Sequence, residues 1–276
     1  MRAADAMRDA TERLAAVSDT ARLDAELLMA HAFGVTRSDL LLRHGEAPVP
    51  QDRFEALLIR RLAHEPIAYI LGSQAFLGLD LMVNTDVLIP RGDSESVVEA
   101  ALEAMPDPER VLDCGTGSGA LLLAVLSQRP AASGIGIDRS LGALALAAAN
   151  AAKLGLADRA HMLHADWHEP GWADGLGLFD LIIANPPYVE SGAVLDPSVA
   201  RYEPAEALYA GADGLDDYRV LVPQLPELLA PGGKVVLEIG ATQADAVAAL
   251  GQAAGFESGV RHDLAGRPRA VILSRC

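Results

Sequence analysis

The sequence predicts an α/β protein: a seven-stranded, largely parallel sheet covered by helices on both faces, with a small helical domain ahead of it. Three observations carry this. Beyond Asp93 short apolar runs alternate with longer segments of helical period, the pattern of strands joined by crossover helices. The last two apolar runs are separated only by HDLAGRP, too short for the dozen or so residues of a parallel crossover, so that pair should be antiparallel. Residues 1–72 instead show apolar residues at helical intervals.

In that first region Leu23, Leu27, Leu28 and His31 recur at helical spacing, as do Phe54, Leu57, Leu58, Arg61 and Leu62, with Pro48, Pro50 and Pro66 as punctuation. From 73 to 90 the pattern turns extended around turn candidates at Gly78 and 84–86, which reads as a hairpin linker. Residues 91–276 form the larger domain. Its expected strands are 110–114, 133–138, 160–165, 179–184, 233–239, 256–261 and 270–274, and its main helices 120–128, 141–154, 218–229 and 244–254.

The 276 residues are 51% hydrophobic and 22% charged, enough for one sizeable core and a smaller module. No run approaches the roughly 20 apolar residues of a membrane span. The opening MRAADAMRDATERLAAV is charged and amphipathic rather than a signal peptide, so a cytoplasmic protein with no membrane partner is expected. Cys114 and Cys276 are too few for a disulfide framework or a four-cysteine zinc site. A net charge of -16 with only 22 Lys and Arg weighs against stable nucleic-acid binding, which calls for a basic footprint.

The first strand of the larger domain runs into Gly115-Thr116-Gly117-Ser118-Gly119 and then directly into an apolar helix. Such loops lie at the ligand-binding carboxyl edge of open sheets, and the glycines let backbone approach a ligand closely. The spacing GxGxG differs from the GxGxxG of dinucleotide enzymes. Asp138 ends the next strand, 23 residues after Gly115, near the spacing at which an acid meets ribose hydroxyls. After the third strand, Asp166 and Trp167 offer an acceptor and a flat ring for a base; Trp167 also reads as an ordinary rim aromatic. Asn185-Pro186-Pro187-Tyr188 follows LFDLIIA, at the end of the fourth strand. Two prolines cannot continue a central strand, and they fix the backbone. The array suits a planar NH2 group, with the Asn185 side-chain oxygen and the Pro186 carbonyl each accepting one N–H while Tyr188 stacks on the plane. No dedicated base is expected. Glu238, ending the fifth strand, either orients a cofactor or caps a loop.

The chain resembles the HemK/PrmC family of protein glutamine-N5 methyltransferases. NPPY alone is shared with DNA adenine and some RNA guanine amino methyltransferases. The narrowing similarity spans ARLDAELLMAHAFGVTRSDLLLR, RRLAHEPIAYILGSQAFLGLDLMVNTDVLIPRGDSE, DCGTGSGA, ANPPYVE and YEPAEALYAGADGLDDYRVL. The resemblance implies a Rossmann-like class I methyltransferase with a seven-stranded sheet, using S-adenosyl-L-methionine to methylate the Gly-Gly-Gln glutamine of class I peptide chain release factors. It implies that Gly115, Thr116, Gly117, Ser118 and Gly119 line the methionine end of the cofactor, Asp138 the ribose and Trp167 the adenine. Asn185, Pro186, Pro187 and Tyr188 would hold the glutamine amide, with Asn185 also beside the cofactor, and residues 1–72 would recruit the release factor to a monomeric enzyme. One departure is Gly92, where the family has proline in IPRPDTE.

Other readings predict other features. A nucleic-acid amino methyltransferase, acting on adenine N6 or guanine N2, needs a basic, aromatic-lined channel, and the chain is acidic with 4% aromatics. A glutamine methyltransferase of a ribosomal protein would carry the same motifs. An NAD-dependent oxidoreductase leaves NPPY unexplained, and a cofactor-binding scaffold leaves both halves of a site idle. His161, His164 and His168 form no expected metal site, since the first two point to opposite strand faces. Residues 143–152 read as a close-packed alanine helix, and Asp213 to Asp217 as a solvated turn and helix start.

Overall fold

The computed structural model describes residues 1–263 and 265–275, so Leu264 and Cys276 lie outside the described residues. The chain begins with helices α1 (Ala3–Leu14), α2 (Ala21–Phe33), α3 (Arg37–Arg43), α4 (Gln51–Leu62) and α5 (Ile67–Leu71), followed by strands β1 (Ser73–Phe76) and β2 (Leu79–Met82). Then come α6 (Glu95–Ala104), β3 (Arg110–Cys114), α7 (Ala120–Gln128), β4 (Ser133–Asp138), α8 (Leu141–Lys153), β5 (Ala160–His164) and β6 (Phe179–Ala184). The remainder is α9 (Pro197–Tyr202), α10 (Asp216–Leu221), β7 (Leu229–Glu238), α11 (Ala244–Ala253), β8 (Phe256–His262) and β9 (Pro268–Arg275). Two compact units result. One holds residues 1–73 and 195–202, the other 74–194 and 203–276. No helix among the described residues is long and apolar enough to cross a membrane.

In the helical unit, Leu14, Leu28, Met29, Leu40, Phe54 and Leu58 form the core. Helix α4 buries Phe54, Leu57, Leu58 and Arg61, the face its spacing predicts. Helix α2 differs. Its buried arc is Ala21, Asp24, Ala25, Leu28, Met29 and Ala32, with Glu26 and Ala30 buried outside that repeat, and Leu23 is left 41% exposed. The arc is displaced because Asp24 belongs to it: its carboxylate accepts from Arg61 Nε at 2.7 Å, Ser18 Oγ at 2.7 Å and Thr20 Oγ1 at 2.9 Å. An acid with three donors can be buried where its charge alone would forbid it. Glycine in the left-handed conformation ends both α2 (Gly34) and α5 (Gly72).

The second unit carries a seven-stranded sheet in the order β5-β4-β3-β6-β7-β9-β8. The first five are parallel, while β9 runs antiparallel to both β7 and β8, as the short HDLAGRP connection requires. Central strands are apolar on both faces. On β3, Val111 joins one core cluster and Leu112 the other, which is why these strands appear as continuous apolar runs rather than alternating ones. The expected helix at 218–229 breaks instead: α10 ends at Leu221 and a 3-10 segment follows over Val222–Glu227. Pro223 and Pro226 lack the N–H an α-helix needs there, and β7 starts at Leu229, ahead of its expected beginning.

The buried Asp24–Arg61 pair yields a test. Arg61→Met should cost about 3 kcal/mol, because it leaves a carboxylate buried with only hydroxyl donors, whereas Leu23→Ala should stay within about 0.5 kcal/mol. Urea titration followed by circular dichroism measures both.

Candidate active site

Sheet register assembles the cleft. Cys114 on β3 pairs with Ala184 on β6 and with Ile137 on β4, so Gly115, Asn185 and Asp138 leave the sheet at one level. Asp138 in turn pairs with His164 on β5, which delivers Ala165, Asp166 and Trp167 to the same edge. The chain proceeds from β3 outward through β4 and β5, then returns to β6 on the opposite side of β3. That reversal creates the crevice in which open α/β sheets bind ligands.

The cleft is lined by Gly115, Thr116, Gly117, Ser118, Asp138, Trp167, Asn185 and Pro187, among others. The other residues expected at the site are set back from it. Gly119 caps α7 in the left-handed conformation, φ 84°, and a Cβ there would lie 2.9 Å from Leu123 Cδ1. Pro186 is buried, and Tyr188, half-buried, packs one side against the core cluster.

The glycine loop is held by backbone and by two acids. Gly115 and Thr116 both donate to the Ile137 carbonyl, at 2.9 and 2.8 Å, and Gly117 N donates to Asp138 Oδ2 at 2.9 Å. The other Asp138 oxygen accepts from Ser140 N at 2.9 Å. Each oxygen keeps a second lone pair for a ligand hydroxyl. Burial pushes the Asp138 carboxyl above its ordinary range, against its two backbone donors. Thr116 Oγ1 donates to Asp113 Oδ2 at 2.8 Å, but Asp113 Oδ1 is buried without a hydrogen-bond partner. Desolvation raises the Asp113 carboxyl to about 7.

Trp167 covers the loop: a Cβ on Gly115 would lie 3.1 Å from its ring. Its indole N–H donates to Asp217 Oδ1 at 3.2 Å. Asp217 is therefore no part of a solvated turn; it is buried and borders the cleft, whereas Asp213 and Asp216 pair with Arg219 in solvent. The alanine helix α8 likewise contains an exception. Buried Asn150 donates to the carbonyls of Ser118 at 2.9 Å and Met82 at 3.0 Å and accepts from Met82 N at 2.7 Å. A single amide thus ties the glycine loop to the hairpin. The sequence signal, a polar residue in register with Ala143 and Ala147, was present but mute without its partners.

Behind NPPY, Gln243 holds the turn. Its Nε2 donates to the carbonyls of Tyr188 and Gly214, both at 3.1 Å, while its Oε1 accepts from Gly240 N at 2.9 Å. The Tyr188 phenol faces Glu238 Oε1 at 3.5 Å. Burial, then the nearby Glu238 charge, pushes that phenol up to about 12. Burial likewise raises Glu238 to about 7.

The segment around Gly92 is pinned from several sides. Arg91 donates to Glu203 Oε1 at 2.6 Å, and the second Glu203 oxygen accepts from Ile89 N at 3.1 Å. Asp93 accepts from Arg269 at 2.7 Å. Glu95 Oε1 accepts from Leu77 N at 3.0 Å, securing a hairpin turn in which Leu77 and Gly78 both have positive φ.

The residues fit an S-adenosylmethionine cofactor. Glycines at positive φ leave a cradle that side chains would fill, and the lining includes Asp86, Asp138, Asp166, Glu206 and Asp217 against Arg91 and Arg139. An acidic wall favours a ligand that carries sulfonium and ammonium charges.

Comparison with known proteins agrees with this arrangement. Residues 5–72 match the model of the PrmC N-terminal domain, and residues 107–254 that of a methyltransferase domain. The chain is 46% identical to the release factor glutamine methyltransferase of Cereibacter sphaeroides over 98% of both chains. It is 43% identical to that of Rhodospirillum rubrum, over 92% of this chain and 79% of the relative. Among solved structures, a methyltransferase from Pyrococcus furiosus shares the fold, with a TM-score of 0.53 at 17% identity over 79% of this chain and 96% of that one.

Two outcomes follow from the geometry. Asp113 keeps a proton in the folded state that the unfolded chain has released between about pH 4 and 7, so its contribution makes stability fall as pH rises across that window. Urea titrations at pH 5 and pH 8 should therefore show a smaller decline in Asp113→Asn than in the wild type. Gly92 opens its 3-10 turn after an extended Arg91 (φ -95°, ψ 144°), and a Cβ added there would meet nothing within 4 Å, which is a proline-compatible site. Gly92→Pro should raise Tm by about 1–4 °C in a thermal scan.

Proposed function

Since the chain belongs to the release factor glutamine methyltransferase family, we propose that it methylates the side-chain amide nitrogen, N5, of the Gly-Gly-Gln glutamine in class I peptide chain release factors. It is an S-adenosylmethionine-dependent methyltransferase. The observation that carries the finer reading is the pairing of Cys114 with Ala184, which sets the glycine loop beside the first residue of NPPY.

Gly115 to Gly119 receive the methionine end of the cofactor, Asp138 the ribose hydroxyls through its free lone pairs, and Trp167 the adenine face. S-adenosylmethionine supplies an electrophilic methyl group on a sulfonium. Asn185 Oδ1 and the Pro186 carbonyl accept the two amide hydrogens, and the Tyr188 ring stacks on the amide plane. An amide nitrogen is a weak nucleophile because its lone pair is delocalised; two acceptors on its hydrogens favour density on nitrogen and aim it. As the N–C bond forms and the S–C bond breaks, the nitrogen becomes acidic, and its proton leaves to an acceptor or to water. Pro186 and Pro187 keep this array rigid, so little reorganisation is needed.

In the same reading the protein works as a cytoplasmic monomer without stable nucleic-acid binding, and residues 1–72 recruit the release factor, with 73–90 as linker to the catalytic domain at 91–276. The net charge of -16 supports a protein substrate over a polyanion. Labelled methyl should pass from S-adenosylmethionine to purified release factor but not to its Gln→Ala variant in Gly-Gly-Gln, nor to duplex DNA, bulk RNA or ribosomal protein; label on any of those alone would overturn the reading. Asn185→Ala should lower kcat by about a hundredfold.

A further inference from the structure

Glu238, the last residue of β7, is 1% exposed, and neither the cofactor cradle nor the amide clamp accounts for it. One group reaches its carboxylate from another segment, the Tyr188 phenol, 3.5 Å from Oε1, and Ser94, a residue that lines the cleft, favours its charged form. Its Oε2 has no hydrogen-bond partner among the described residues. From the other elements packed here, Arg269 on β9 and Asp93 beside Ser94 act on Glu238, and Arg91 acts with them on Tyr188. Tyr218 on α10 donates to the Glu238 backbone carbonyl at 2.6 Å.

We propose that Glu238 is a positioning residue for methyl transfer: its ionised carboxylate holds the Tyr188 phenol, fixing the ring that stacks on the target amide. The proposal rests on the role given to Tyr188 above. Gln243 and the prolines already fix the Tyr188 backbone, so the remaining freedom is that of the side chain, and Glu238 is the acceptor at its far end. A merely structural residue is a poor explanation, since a buried carboxylate with one oxygen unpartnered costs stability that an apolar side chain of similar size would not. The phenol, pushed up to about 12, keeps its proton. Glu238, raised to about 7 by burial, changes state near neutrality, and its protonation weakens the hold on the ring.

The test uses the full-length protein with tyrosines labelled at Cζ, the Tyr188 carbon signal being assigned from Tyr188→Phe, alongside kcat against pH with release factor as substrate. In the wild type, the Tyr188 signal should shift and kcat should rise with one midpoint near pH 7. In Glu238→Gln both should be flat, with kcat about tenfold below the wild-type plateau and S-adenosylmethionine affinity by calorimetry within about twofold. Tyr188→Phe should lose the same pH dependence, and combining the two substitutions should lower kcat no further. A Tyr188 signal that does not move in the wild type, or an acid limb that survives in Glu238→Gln, overturns the proposal. Absence of methyl transfer to release factor by the wild type at any pH would instead sink the substrate assignment, and the Tyr188 signal would still decide whether Glu238 holds the ring.

Discussion

Where β3 and β6 run side by side, Cys114 pairs with Ala184, and the next residue on each strand leaves the sheet at the same height. Everything at the cleft hangs on that register. A parallel strand pair cannot slip by one residue without turning its apolar set from one buried face to the other, and here both faces are covered. The rigid core therefore transmits its precision to two loops, one suited to a charged cofactor and the other to a planar amide. The chain supplies them from distant sequence positions, but the sheet leaves them adjacent.

Around this centre the protein retains several acids that a purely stable fold would not contain. Asp113 and Glu238 each leave one carboxylate oxygen without a partner, and burial raises both toward neutrality. Asp138 is raised as well, although two backbone N–H groups favour its charge. Costs of this kind gather at functional sites, where the group serves a ligand or a neighbouring side chain rather than the fold. Asp24 in the helical unit is the useful contrast: it is equally buried, but hydroxyls and a guanidinium surround it, and its role is structural.

The segment before α6 shows how an altered motif can keep its place. With glycine at 92, the backbone loses the restriction that proline imposes. The neighbours pin it through long-range bonds: Arg91 to Glu203, Asp93 to Arg269 and Glu95 to Leu77. Together they connect the hairpin, β9 and the segment after α9 to the rim of the cleft.

The amino-acid sequence determined by itself whatever depends on near neighbours. The parallel strands were legible because burial on both faces demands unbroken apolar runs, the antiparallel end because seven residues cannot make a crossover, and the glycine loop and NPPY because their backbone constraints are local. Residues whose meaning comes from remote partners were not legible. Asp24 and Arg61 are 37 positions apart, Trp167 and Asp217 50, Tyr188 and Gln243 55, and Asn150 and Met82 68. Before folding, such a side chain shows no partner, and an acidic cluster alone assigns a residue to solvent, as it did Asp217. The tertiary structure alone decided these positions, because the free energy of burying a polar group is set by the partners that surround it and not by its place in the chain.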